Sequence, residues 1–157
     1  MSLDPPQGDK WRSAGLRLGI VCARYNEMLT DALLAKVTAV IKDAGEPERL
    51  IVERVPGSHE VPVAMSLMLG AESFDCLVGL GVVIKGSTSH HHLVAESAGQ
   101  AMQQLGLERS TPIINGIIVT DSIEDAEIRV TGSLDRGLEF GEAALHMAEL
   151  KRKWTKN

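Results

Sequence analysis

The chain has 157 residues, 44% hydrophobic and 24% charged, with a net charge of −5 and two cysteines. That length supports one domain with its own core. No apolar run reaches the roughly 18 residues a membrane helix needs, the opening MSLDPPQGDKW lacks the apolar centre of a signal peptide, and the acidic balance speaks against nucleic acid as a partner.

Residues 1–13, with Pro5, Pro6 and Gly8, read as an N-terminal tail, and residues 14–154 as an α/β domain. Leu16–Cys22 is an apolar run of strand length. From Glu27 to Ala44, Leu29, Leu33, Val37 and Ile41 recur at helical spacing, and Gly45 with Pro47 stops the helix. Leu50–Val55 is a second strand, ended by Pro56-Gly57. A helix follows from about Val61 to Leu69, with Pro62 in its first turn. Cys76–Ile84 is a third strand, followed by a helix from about Ser89 to Leu107. Ile113–Val119 is the fourth strand. A short helix is expected after Asp121, and a long one from about Gly141 to Trp154 with Ala143, Ala144, Met147 and Leu150 as its apolar face. Cys22 and Cys76 each sit inside an apolar run. Two reduced core thiols in a cytosolic protein suit that setting, with a single disulfide as the alternative.

Strands that read as apolar runs between helices imply a parallel sheet covered on both faces. Ligands of such sheets bind beyond the carboxyl ends of the strands. The loops that matter then start at Arg24, Pro56, Lys85 and Thr120. Gly79-Leu80-Gly81 opens like a dinucleotide fingerprint, but Ile84 stands where the third glycine belongs. Gly81 to Thr88 mimics a P-loop with its lysine, Lys85, on the wrong side of Gly86. His90-His91-His92 looks like a metal tract. Adjacent residues point in different directions, however, and cysteines at zinc spacing are absent.

The segment Lys85-Gly86-Ser87-Thr88-Ser89-His90 carries a clearer message. Hydroxyl residues and a glycine sit where a strand becomes a helix, which suits either a phosphate or plain N-capping. A histidine beside such a turn is a proton donor and acceptor near neutrality. Glu60 after Pro56-Gly57 can accept hydrogen bonds from a polyol or serve as a first-turn carboxylate. Tyr25 offers a stacking surface for a flat ring, or a half-buried core aromatic. Arg129 has either a surface role or an anion-binding one.

The sequence resembles the lumazine synthase family from about Leu16 to Met147. The match runs through Arg24-Tyr25-Asn26, Val55-Pro56-Gly57-Ser58-His59-Glu60-Val61-Pro62 and Gly81-Val82-Val83-Ile84-Lys85-Gly86-Ser87-Thr88-Ser89-His90. It continues through Thr120-Asp121-Ser122-Ile123-Glu124 with Arg129 and ends at Gly141-Glu142-Ala143-Ala144. The resemblance implies a three-layer sandwich with a four-stranded parallel flavodoxin-like sheet. It also implies a cytoplasmic enzyme of riboflavin biosynthesis that uses no metal or cofactor. That enzyme condenses 5-amino-6-ribitylaminouracil with 3,4-dihydroxy-2-butanone 4-phosphate to 6,7-dimethyl-8-ribityllumazine, phosphate and water. By the same resemblance Tyr25 stacks on the pyrimidine, while Ser58, His59 and Glu60 line the ribityl chain. Val83 and Ile84 meet the pyrimidine edge through their backbone. Ser87 and Thr88, beside Lys85, hold the phosphate with Arg129. His90 moves protons, and its place four residues after Gly86, beside the phosphate turn, leaves His91 and His92 as the ones expected to be dispensable.

The chain departs from the family's usual pattern in a few places. His59 replaces a bulky apolar residue, His91 a common aromatic, and Asn115 a phenylalanine that faces a neighbouring subunit's substrate. The stretch from Arg129 to Gly141 is a few residues longer than in many bacterial members and has Phe140 in place of their lysine. It is closer to the fungal form, with Arg136 as the candidate replacement cation. The resemblance implies a homo-oligomer, a pentamer with the site shared between adjacent subunits. Three other readings are a non-catalytic lumazine- or flavin-binding relative, an unrelated flavodoxin-like protein holding a phosphorylated cofactor, and a shell-forming protein.

Overall fold

All four apolar runs pair into one parallel sheet. The computed structural model describes residues 4, 6 and 10–155. In it β1 (Arg17–Ala23), β2 (Arg49–Val55), β3 (Cys76–Ile84) and β4 (Ile113–Thr120) lie in the order β2-β1-β3-β4. Five α-helices connect and flank them: α1 (Glu27–Asp43), α2 (Val61–Ala71), α3 (His90–Arg109), α4 (Ile123–Val130) and α5 (Arg136–Thr155). Most of the expected tail, residues 1–3, 5 and 7–9, lies outside the described residues. Trp11 stacks on His146 of α5 with ring centroids 4.1 Å apart.

Alternation along the strands divides the core between two faces. Leu18, Ile20 and Cys22 of β1, with Val78, Leu80 and Val82 of β3, pack with buried residues of α1, α4 and α5. Val21 and Ala23 of β1, with Leu77 of β3, pack with Val61, Met65 and Leu69 of α2 and Met102 of α3. The two central strands are thus buried on both sides, while β2 and β4 at the edges stay half open. This is the three-layer, flavodoxin-like sandwich expected from the sequence.

The last helix differs from expectation. It begins at Arg136, five residues before Gly141. Asp135 Oδ1 accepts the Leu138 N–H at 3.0 Å, and Arg136 pairs with Glu139 at 2.7 Å, so the first turn is well supported. Gly137 and Gly141 do not interrupt the helix. They let it approach α1, where an added Cβ would come within 2.6 Å of Lys36 Cγ and Val40 Cγ1 respectively. The buried stripe is Gly137, Phe140, Gly141, Ala144, Leu145 and Ala148. Of the four residues expected to form the apolar face, only Ala144 is fully buried, and Leu150 is exposed.

Both cysteines are free thiols in the core. Burial lifts Cys22 from 9.0 to about 11, against the opposing pull of Arg54, and pushes Cys76 higher still. At the amino ends of the strands, Asp75 accepts from the Arg17 backbone at 2.6 Å and from Arg152 through both carboxylate oxygens at 2.8 Å. That polar clasp closes the edge of the sheet opposite the site.

Candidate active site

The chain leaves β1 toward β2 on one side of the sheet, then returns to add β3 on the other. The strand order therefore reverses between β1 and β3, where a crevice opens beyond the carboxyl ends. A cavity of about 410 Å³ occupies that place. Its walls come from the segments after β1 and β2, the end of β3 and the first turn of α3.

Asn26 fixes the first wall. It takes the left-handed conformation (φ 58°, ψ 53°) ahead of α1, which asparagine tolerates better than most residues. Its Nδ2 donates to the Val82 carbonyl at 2.8 Å, tying the end of β1 to β3. Tyr25, 73% exposed, lies beside Gly57 with its ring free to face a ligand. The Arg24 and Tyr25 N–H groups both donate to Pro56 O, which ties the loops after β1 and β2 together.

The segment after β2 makes a short 3-10 turn, Ser58–Glu60, before α2. Ser58 is buried over Gly81 of β3, where any Cβ would collide with its hydroxyl. Glu60 Oε2 accepts the Gly57 N–H at 2.8 Å. This bond aims the carboxylate, and its other oxygen lies 3.8 Å from His59 Nδ1. Val83 and Ile84 pair with Val119 and Thr120 of β4, and both line the cavity.

After β3 the chain passes through residues 85–89 into α3. Lys85 N–H donates to Thr120 O at 2.9 Å. Ser89 precedes α3 without any side-chain cap hydrogen bond, and the contact from His90 N–H to Thr88 Oγ1 is long, at 3.4 Å. A 20-residue helix thus presents its amino end to the cavity weakly capped, which favours an anion there. Thr88 and His90 line the cavity beside it. Among the described residues no group of three or more His, Cys, Asp or Glu side chains converges to hold a metal.

Residues 15–152 match the family described as 6,7-dimethyl-8-ribityllumazine synthase. The 6,7-dimethyl-8-ribityllumazine synthase of Xylella fastidiosa (strain M12) is 37% identical over 144 residues, covering 90% of this chain and 94% of its own. That of Acidovorax sp. (strain JS42) is 38% identical over 148 residues, covering 94% of each chain. That of Cupriavidus necator is 39% identical over 137 residues, covering 87% of this chain and 81% of its own. The chain belongs to the 6,7-dimethyl-8-ribityllumazine synthase family. Membership makes it an enzyme, a transferase of riboflavin biosynthesis.

Of the site residues expected from the sequence, the cavity gathers Tyr25, Ser58, His59, Glu60, Val83, Ile84, Thr88 and His90. Lys85 and Ser87 belong to the same turn but do not line it. Asn115 sits mid-strand on β4 opposite Gly79, exposed, with its Oδ1 accepting the Ile117 N–H. Arg129 donates to the Asp125 carbonyl of its own helix at 2.8 Å, and Arg136 is committed to Glu139. These three stand apart from the cavity of one chain. Sequence reasoning missed Asn26, Gly57, Val82, Gly86, His91 and Val94 as lining residues. Asn26, three residues beyond the end of β1, is set apart by its left-handed backbone, which the sequence does not show.

Proposed function

We propose that the protein condenses 5-amino-6-ribitylaminouracil with 3,4-dihydroxy-2-butanone 4-phosphate, giving 6,7-dimethyl-8-ribityllumazine, phosphate and water. The observation that carries this reading is the makeup of one cavity. An exposed aromatic ring, an aimed carboxylate and a weakly capped helix start with a histidine all line it. Tyr25 stacks on the pyrimidine, and the backbone of Val83 and Ile84 reads its edge. Ser58, His59 and Glu60 take the ribityl chain, with Glu60 accepting from its hydroxyls. Ser87 and Thr88, beside Lys85, seat the phosphate at the amino end of α3. Schiff-base formation, phosphate departure and ring closure each need proton transfer near neutrality, which suits His90.

Arg129 supplies the cation opposite that phosphate, as the planar guanidinium fork favours. It does so across a subunit boundary, as Asn115 does for the pyrimidine wall, with Arg136 as a second cation. The supporting observation is that all three stand away from the cavity of their own chain. The assembly is a pentamer of about 85 kDa, five chains of 16.9 kDa. Large apolar side chains exposed on the two helices of one face, Val63, Leu67, Leu93 and Leu107, supply surface for it. The extra residues between Arg129 and Gly141 crowd further stacking of rings, so we expect no shell. Two buried free thiols suit the cytoplasm.

Incubation with both substrates, followed by the absorbance and fluorescence of the lumazine, tests the activity. Product formation with release of phosphate is the expected result. A yellow protein with bound flavin and no turnover would instead favour a binding-only relative.

A further inference from the structure

Three histidines open α3, and only His91 is buried, at 6% exposure. Its ring lines the cavity and lies 3.9 Å from that of His92. Nδ1 stands 3.1 Å from the Thr88 carbonyl oxygen. A carbonyl can only accept, so Nδ1 carries the hydrogen and the neutral ring is held as the Nδ1–H tautomer. The other nitrogen, Nε2, is buried with no partner among the described residues. A buried polar atom left unpaired works against folding. A phenylalanine would fill the same space without that penalty. What the imidazole does and a phenyl ring cannot is donate to Thr88.

Thr88 is the pivot of the turn between β3 and α3. Lys85 N–H is anchored to Thr120 O at one end, and Ser89 O accepts from His92 N–H at the other. Between those anchors the His91 ring holds the Thr88 carbonyl, and the Thr88 hydroxyl faces the His90 N–H. We infer that His91 is a positioning residue, clamping the phosphate-binding turn through Nδ1–H and Thr88 O so that the Thr88 hydroxyl and His90 are placed before the ligand arrives. Ordering the turn in advance spares the ligand that entropic loss. The inference rests on the proposed phosphate seat at residues 85–89.

The test uses the full chain with two substitutions. His91→Phe keeps a ring and removes the donor, and His91→Asn keeps an N–H near the position of Nδ1. Inorganic phosphate is titrated by calorimetry, and KM is measured for each substrate. His91→Phe should weaken inorganic phosphate and raise KM for the four-carbon phosphate about three- to tenfold, the size of one hydrogen bond. KM for the pyrimidine should hold, and the melting temperature should not fall, because the orphaned nitrogen is gone. His91→Asn should restore most of the phosphate affinity. Nitrogen NMR of the wild-type ring should report the Nδ1–H tautomer. Unchanged phosphate binding in His91→Phe would overturn the clamp, as would an Nε2–H tautomer, or an equal loss of both substrates together with a lower melting temperature. A wild-type chain that bound no inorganic phosphate would overturn the clamp and the phosphate seat together. A chain that bound phosphate, lost it in His91→Phe and yet formed no lumazine would uphold the clamp and overturn only the proposed condensation.

Discussion

His90 and His92 are both exposed on the first turn of α3, yet only His90 lines the cavity. General acid–base help is worth roughly 10²–10⁴-fold, so His90→Ala should slow turnover within or just below that range. His92→Ala should leave turnover near wild type. Steady-state kinetics of the two variants side by side checks the assignment, and equal losses would refute it. Among the described residues Arg129 bonds only to its own helix at Asp125, so its removal should leave stability unchanged. If it meets the phosphate in a neighbour's site, Arg129→Ala forfeits a charge-assisted hydrogen bond of about 1.5–3 kcal/mol. KM for the phosphate substrate should then rise by one to two orders of magnitude while the pyrimidine value moves little. Cys22 gives an alkaline signature. Its thiol is raised by burial from 9.0 to about 11, so above pH 9 the unfolded chain loses its proton before the folded one does. The stability from the protonated thiol is present below pH 9 and drains away as pH rises toward 11. Urea midpoints measured across that window should fall, and less steeply in Cys22→Ala.

α5 and α1 meet through glycines, and an added Cβ at either Gly137 or Gly141 would collide with a side chain of α1. Gly141→Val would drive a side chain into Val40, an overpacking that costs about 1–3 kcal/mol. The melting temperature should drop accordingly, with kcat/KM retained below it, because neither helix lines the cavity. The same contact explains what was hard to read in the sequence. Gly137 and Gly141 look locally like interruptions, whereas the tertiary approach to Lys36 and Val40 is what excludes a Cβ there. Starting the helix at Gly141 also misplaced its face, toward Met147 and Leu150 and away from Phe140, Leu145 and Ala148. β1 and β3 were legible because strands buried on both sides must be apolar at nearly every position. In the site, Tyr25, Glu60 and His90 stood out as polar or aromatic residues in the connections that lead from strands into helices. His91 did not, since three adjacent histidines look alike until the helix assigns each a direction. Asn26 was hidden for a similar reason, because its role depends on a left-handed backbone and a bond to Val82 across two strands.

At the scale of the whole molecule the cavity is open, and the cations proposed for it belong to other parts of the fold. The proposed ring predicts a particle of about 85 kDa by light scattering on a sizing column. A particle near a megadalton would overturn the crowding ascribed to the extra residues between Arg129 and Gly141, and an active monomer would overturn the shared site. Leu67, 72% exposed on α2, offers a direct probe. Leu67→Glu should break the ring and silence turnover, with the melting temperature of the chain little changed, because the side chain adds almost nothing to the core. Activity per chain should also fall on dilution, in step with dissociation.

Optically, the chain divides itself. It has two tryptophans and one tyrosine. Trp11 lies against His146 of α5, and Trp154, 77% exposed, is near the end of that same helix. Tyr25 is in the cavity. Indole emission therefore reports on the α5 layer, while the cavity wall holds no indole of its own. Native docking of the outer layer can thus be followed by indole emission in an unlabelled sample, through groups that stand outside the cavity.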